Sequence, residues 1–245
     1  MRNQIDSLID KHNLTHIKRE LLATVFPCVK VIPRQEESLS IGCSKMGGLP
    51  DVSSTFEYPT HEGKALDFIA QFNLADLQDV GMEHDLPKTG MLYFFYNVND
   101  GHEGAWCVRY DNEPIERLQR VNNKQSKYTQ CALSFHLTYK LPELFIEDEA
   151  DSDRFLQLLE ELIPDHYDNH QVFGEPFSVQ GEVFEEAGEY TGIHDYDMTL
   201  LFQIDSDYAN CHMTWGDLGM LYFCIGNEDL KQRRFENTCC ILQSC

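Results

Sequence analysis

One pentapeptide occurs twice. Gly90-Met91-Leu92-Tyr93-Phe94 returns as Gly219-Met220-Leu221-Tyr222-Phe223, 129 residues later in a chain of 245. Self-similarity at a fixed offset marks a structural unit used more than once, and the flanks support that reading. Upstream, Phe68-Ile69-Ala70-Gln71-Phe72-Asn73 parallels Leu200-Leu201-Phe202-Gln203-Ile204-Asp205, with Gln71 opposite Gln203. Downstream, Asn97-Val98-Asn99-Asp100 parallels Gly226-Asn227-Glu228-Asp229, and Gly47-Gly48-Leu49-Pro50 and Gly174-Glu175-Pro176 precede the two copies. We read a single domain over residues 1–245, made of two related halves at about 28–140 and 150–245.

Each half holds short apolar runs rich in aromatic and β-branched residues, bounded by Gly, Asn, Asp and Pro, which is the composition of strands. The strands expected are Cys28–Ile32, Leu39–Cys43, Asp67–Asn73, Gly90–Tyr96, Trp106–Tyr110, Ala132–Tyr139, Met198–Asp205, Gly219–Ile225 and Thr238–Gln243. Leu133, Phe135 and Leu137 alternate with Ser134, His136 and Thr138, so that strand is half-buried and His136 faces out. Helical stripes run from Ile5 to Val25, with Asn13 or Thr15 capping a second helix. Another runs through Phe155, Leu158, Leu159 and Leu162, with Asp151 or Ser152 as its cap and Pro164 as its stop; Glu228–Phe235 is a shorter candidate. The expected class is α+β: an internal pseudo-repeat of mixed or antiparallel sheet with few flanking helices.

Charge narrows the partners. There are 41 acidic and 19 basic residues, a net −22, which disfavours nucleic acid and anionic lipid because phosphate contacts need a positive surface. No apolar run is long enough to span a membrane. Seventeen of the acidic residues and a single basic one, Arg154, lie within residues 143–197. Either that segment is a solvated linker and helix face, or it is a surface that captures a basic protein or a cation. The polar N-terminus has no secretory apolar core. The nine cysteines contain no CxxC pair, and several sit inside apolar runs, so we expect a reduced, cytoplasmic chain with Cys245 its most exposed thiol.

Most of the candidate site residues lie near the second copy. Asp205 and Asp207, two apart on extended chain, point to one side, and with Asp217 beyond Trp215-Gly216 they could hold Ca2+ or Mg2+ through oxygen ligands. The competing reading makes Asp205 and Asp207 turn and cap residues bonding local backbone N–H groups. Asp205, Asp207, Trp215, Asp217, Gln71 and Gln203 are therefore the ligand-binding candidates, and Asp205, Asp207 and Asp217 the metal candidates. The spacing is not that of an EF-hand, because Asn210 and Gly216 stand where a glycine and a glutamate belong. Cys211 and His212 are adjacent and face opposite ways, so they do not form a nucleophile–base pair. Gly47-Gly48 lacks the spacing of a nucleotide loop and suits a tight turn.

Five stretches in order carry a family resemblance: Ser44-Lys45-Met46-Gly47-Gly48-Leu49-Pro50, Phe68 to Leu74, Leu86-Pro87 with Gly90 to Tyr96, Gln203-Ile204-Asp205-Ser206-Asp207 and Trp215 to Phe223. Together they resemble the YwqG-like family, a domain of unknown function, from about residue 30 to 243. The chain departs from the family pattern at Met46 and Tyr58, where aromatic and Trp residues are usual, and at Tyr208 to His212, where a glycine is usual. The resemblance implies no catalytic residues. Relatives beside toxin and immunity genes imply protein binding, of immunity or accessory type. The expectation is a non-enzymatic binding protein engaging an unidentified basic protein through the acidic segment or a cleft between the halves. The alternative is a small-molecule- or metal-dependent enzyme at the Asp205–Asp217 loop.

Overall fold

The computed structural model describes residues 2–97, 105–122, 125–162 and 169–244. Helices α1 (Arg2–Lys11) and α2 (Lys18–Thr24) precede β1 (Phe26–Gln35). The two-residue strands β2 (Lys45–Met46), β3 (Asp51–Val52), β4 (Thr60–His61) and β5 (Lys64–Ala65) lead to β6 (Asp67–Asn73), β7 (Met91–Tyr96) and β8 (Trp106–Asp111). After β9 (Gln119–Arg120) come β10 (Cys131–Lys140), α3 (Glu149–Leu162), β11 (Gln171–Val172) and α4 (Val183–Thr191). The chain closes with β12 (Met198–Asp205), β13 (Met220–Gly226), α5 (Asn227–Lys231) and β14 (Cys239–Gln243).

Ten strands form one sheet in the order β14-β13-β12-β11-β1-β10-β2-β6-β7-β8. Every neighbouring pair is antiparallel. The α+β expectation thus resolves to an antiparallel sheet with few helices. The repeated Met-Leu-Tyr-Phe runs are β7 and β13. They are continuously apolar because both of their faces are covered. Leu92, Phe94, Leu221 and Phe223 point into the central core. Met91, Tyr93 and Phe95 pack outward under residues such as Phe56 and Tyr58, and Met220, Tyr222 and Cys224 pack under α4.

The two flanks of the sheet meet across the central core. Phe72 of β6 stacks edge-on to Phe202 of β12 at 4.7 Å, and Phe94 lies 5.1 Å from Phe223. At the far ends, Trp106 Nε1 of β8 donates to the Thr238 carbonyl just before β14 at 2.7 Å. The expected cleft between halves is therefore filled with rings where the flanks face each other. A separate apolar cluster holds α1, α2 and α3 together with Leu141. No helix among the described residues is long and apolar enough to cross a membrane.

Several local expectations change. Leu39–Cys43 is not a strand: Cys43 N donates to Ser40 O, and Gly42 sits at φ 76°, which turns the chain. Neither Asn13 nor Thr15 caps α2; Thr15 Oγ1 donates instead to Asp10 Oδ1 at 3.1 Å. The cap of α3 is Asp148, whose Oδ1 accepts from Asp151 N at 2.9 Å. Asp151, one turn in, holds His16 Nε2 at 2.5 Å and Arg154 Nη1 at 2.7 Å. Helix α4 was not expected, because Val183 and Ala187 are all that it buries. His136 is exposed, as the alternation required. Residues 98–100 of the downstream parallel, Pro164 and Cys245 lie outside the described residues.

Candidate functional site

The Asp205–Asp217 loop leaves the end of β12 and is held by its own side chains. Asp205 is buried; its Oδ2 accepts from Asn169 N at 3.1 Å, while its backbone N donates to His170 Nδ1 at 3.2 Å. That bond leaves the His170 proton on Nε2, which faces Asp207 Oδ2 at 3.5 Å. Asp207 Oδ1 accepts from Asn210 N at 2.8 Å, and Asn210 Nδ2 reaches both carboxylate oxygens. Burial alone would raise the Asp207 carboxyl, but His170 and the Asn210 donors outweigh it and hold the group below its ordinary value. Ser206 Oγ donates to Gly219 O and accepts from Trp215 N. The Trp215 ring, 1% exposed, donates from Nε1 to Asp205 O at 3.2 Å and meets Tyr96 and Tyr128 edge-on.

The structure thus brings Asp205, Asp207 and Trp215 together and leaves Asp217 exposed on the surface. Asp207 acts as a turn residue, while Asp205 bonds a backbone N–H distant in sequence. Among the described residues, no group of three or more His, Cys, Asp or Glu side chains is arranged to hold a metal ion. Cys211 and His212 go separate ways: Cys211 is buried in the central core, while His212 is exposed with its Nδ1 2.9 Å from Thr129 Oγ1.

Gln71 and Gln203 do equivalent work inside the two flanks. Gln71 Oε1 accepts from Asp51 N at 2.8 Å and its Nε2 donates to Cys43 O at 2.9 Å. Gln203 Oε1 accepts from Phe177 N at 2.8 Å and its Nε2 donates to Asn169 O at 2.7 Å. Each glutamine faces a two-residue strand, Gln71 opposite Lys45 and Gln203 opposite Gln171. Both side chains are buried and engaged with the main chain, so they hold loops in place.

Two features escaped the sequence reading. The first is a buried ion cluster. The Lys45 ammonium lies 3.0 Å from Asp51 Oδ2, both side chains having no solvent exposure, and Arg120 Nε donates to Asp51 Oδ1 at 2.8 Å. The Lys45 contact is short but poorly aligned for a hydrogen bond, so it acts as a Coulombic pair. Burial pushes the Lys45 amine below its ordinary value despite Asp51. The second is a groove beside α4. A cavity of about 360 Å³ is lined by Lys140, Glu143, Gln171, Glu175, Phe177 and Glu182 among others. An adjoining cavity of about 440 Å³ shares Glu175, Glu182 and Phe184 and adds Glu185, Asp195 and Tyr196. Burial, then Glu182 and Asp195, pushes the Glu175 carboxyl up. The acidic bias of residues 143–197 was the visible signal; the convergence of carboxylates from separate turns was not.

No curated protein matches the chain. The sequence model of a family described as a domain of unknown function (DUF1963) matches residues 44–245. That span takes in β2 to β14, including the Asp205–Asp217 loop, the Lys45–Asp51–Arg120 cluster and the groove beside α4, so the chain belongs to the DUF1963 family.

Proposed function

We propose that this protein is a non-enzymatic, cytoplasmic binding module that captures a basic protein segment in the acidic groove beside α4. The observation that carries this reading is the pair of adjoining cavities edged by Glu175, Glu182, Glu185 and Asp195. No lysine, arginine or histidine among the described residues forms an ion pair with any of those four carboxylates. Like charges held together raise one another's cost of ionising, and an incoming guanidinium or ammonium relieves that cost. Phe177 and Tyr196, both exposed, add aromatic faces on which a cation rests. The resemblance to YwqG-like proteins agrees with an accessory or immunity-type role.

The test is titration with a short oligo-arginine peptide. Binding is expected to weaken steeply between about 50 and 300 mM salt, as screened charge requires. It is also expected to tighten as pH rises through the carboxylate range, because the raised Glu175 must ionise to pair with the cation. The variant Glu175→Gln/Glu182→Gln/Glu185→Gln should lose at least about tenfold in affinity. Equal binding by the variant and the native protein would remove the groove from the account. Affinity capture from the protein's own cells at low and high salt then identifies the natural partner.

We also infer that the chain is a duplicated unit whose first strands are exchanged. One unit is β1, β2, β6, β7 and β8; the other is β10, β11, β12, β13 and β14. In this reading β1 pairs with β11 and β10 with β2, so each unit's leading strand lies in the other's flank. The division between halves then falls ahead of β10 rather than at 140–150. Matched details support it. Both flanks shift register once, between Phe68 and Ala70 and between Leu200 and Phe202. Tyr93 OH donates to Asp51 O at 2.6 Å and Tyr222 OH to Phe177 O at 2.7 Å. Gly47-Gly48 and Phe173-Gly174 both have positive φ, and at Gly47 a Cβ would stand 2.1 Å from Thr129 O.

Duplication makes Gln71→Ala and Gln203→Ala a matched pair. Each strips a buried amide and carbonyl of their partners, at a cost of about 2–3 kcal/mol, and the two losses in urea unfolding should agree within about 1 kcal/mol. A large cost at one site with almost none at the other would show that the positions are not equivalent.

A further inference from the structure

We propose that the groove beside α4 reads two side chains at once, so that the segment it captures carries an arginine or lysine with an apolar residue two positions away, not a run of cations. The inference rests on the reading of this groove as the binding site and names what that site selects.

The two adjoining cavities differ in chemistry. Glu175, Glu182, Glu185 and Asp195 are four of the seven described residues that line the larger, and none of the seven is cationic. Glu186 is not among them; Gln243 Nε2 donates to its Oε2 at 3.0 Å. Half of the residues that line the smaller cavity are apolar, among them Phe26 at the start of β1, Leu141 and Pro142 just after β10, Pro176, and Phe184 of α4. Phe26, Pro142, Pro176 and Phe184 are only half-buried, so apolar surface is left for an incoming side chain. Lys140, the last residue of β10, lines the smaller cavity as well, its ammonium donating to Gln171 Oε1 at 2.6 Å and to Asn169 Oδ1.

These linings decide what each chamber admits. A cation entering the larger one meets charges of opposite sign alone. A cation entering the smaller one meets the Lys140 ammonium beside the carboxylates, and like charges at close range repel. An apolar side chain is not repelled there and leaves water for the surface of Phe26 and the prolines. The ammonium is thus the repulsive element that sets a mixed segment apart from a polycation. Glu175, Glu182 and Phe184 line both chambers, so the two lie side by side. On an extended chain, residues two apart project to the same side and can fill both, whereas adjacent residues project to opposite sides and fill one.

The test is NMR titration of the full-length protein with four capped peptides of equal length, each containing an arginine. The first has leucine two residues on, the second has leucine next to the arginine, and the third and fourth have serine or a second arginine two residues on. At about 50 mM salt, where screening is weak, the first should bind at least about fivefold more tightly than the serine peptide, as partial burial of a leucine supplies. It should also bind more tightly than the peptide with two arginines, and moving leucine next to the arginine should remove the gain. Phe26→Ser should bring the leucine and serine peptides to the same affinity; Pro142→Ser is the second variant should the first fold poorly. Glu185→Gln/Asp195→Asn should weaken every peptide. Equal binding of the leucine and serine peptides, tightest binding of the two-arginine peptide, or a leucine advantage that survives both apolar variants overturns this inference while the groove stands as a plain anionic site. Failure of all four peptides and of oligo-arginine overturns the underlying reading of the groove as well.

Discussion

Replacing Asp51 by asparagine is expected to cost about 3–5 kcal/mol at neutral pH, the range seen when one member of a buried ion pair is removed. Asp51 has no exposed surface and accepts from Arg120, from Gly42 N at 3.0 Å and from Gln71 Nε2 at 3.1 Å, besides pairing with Lys45. Burial would raise its carboxyl, but the Arg120 and Lys45 charges outweigh that and hold it below the ordinary value. Without that charge the Lys45 ammonium stays in the interior with nothing to compensate it. A lysine whose folded-state value is lowered binds its proton less well folded than unfolded. Stability therefore rises with pH between that lowered value and the ordinary 10.5. In Asp51→Asn the lower limit moves down, so the variant should recover stability as pH climbs toward 10.5, more than the native protein does. Adding Lys45→Met should restore much of the loss at neutral pH, since an apolar group of similar length asks for no counter-charge. Urea unfolding at pH 7 and in alkali checks both statements. A loss under about 1 kcal/mol, with no gain from Lys45→Met, would mean that the amine is already neutral or hydrated.

This cluster also shows where sequence reading stops. Lys45 stands in Ser44-Lys45-Met46, and nothing local separates a buried lysine from an exposed one. Its environment is set by Asp51, six residues on, and by Arg120, seventy-five residues on, so the ion cluster exists only once β2, β3 and β9 are placed. The long strands are a different case. Asp67–Asn73 and Met198–Asp205 have the bounds that composition suggested, because their apolar content answers to burial on both faces. The two-residue strands β2 and β11 left no such trace. They join the flanks to the central β1–β10 pair through backbone bonds; each sends one apolar side chain, Met46 or Val172, into the central core, and the other, Lys45 or Gln171, is polar although buried.

The candidate loop divides in the same way. That Asp207 would bond a nearby N–H group was one of the two readings that turn chemistry offered, whereas the bond of Asp205 to Asn169 N, 36 residues away, was not legible. That His170 would arrive from β11's approach, and Trp215 fold back onto Asp205 O, was not legible either, because both depend on long-range pairing. For the groove, the charge of residues 143–197 was plain in the chain. Which carboxylates converge was decided by α4, a helix whose weak apolar stripe hid it.

The facing of the two flanks rests most directly on Phe202, and Phe202→Ala is expected to cost about 3–5 kcal/mol, as for a large ring removed from a close-packed core. Its ring has no solvent exposure and lies 4.7 Å from Phe72 and 5.3 Å from Phe94, residues of the opposite flank. Truncation removes the ring's transfer free energy and opens a void that Phe72, Phe94 and Phe223 fill only in part, since each is fixed in its own strand ladder. Phe145, 92% exposed, is the matched control, and Phe145→Ala should change stability by no more than about 0.5 kcal/mol. The double variant Phe72→Ala/Phe202→Ala should lose less than the sum of its singles, because the two rings share one contact and one void. Equilibrium unfolding in urea resolves differences of this size. If Phe202→Ala costs no more than Phe145→Ala, or if the Phe72 and Phe202 losses simply add, then the flanks are not packed ring against ring. The central core would then have to be two independent layers, a geometry in which the Trp106–Thr238 bond between the sheet's far ends could not form.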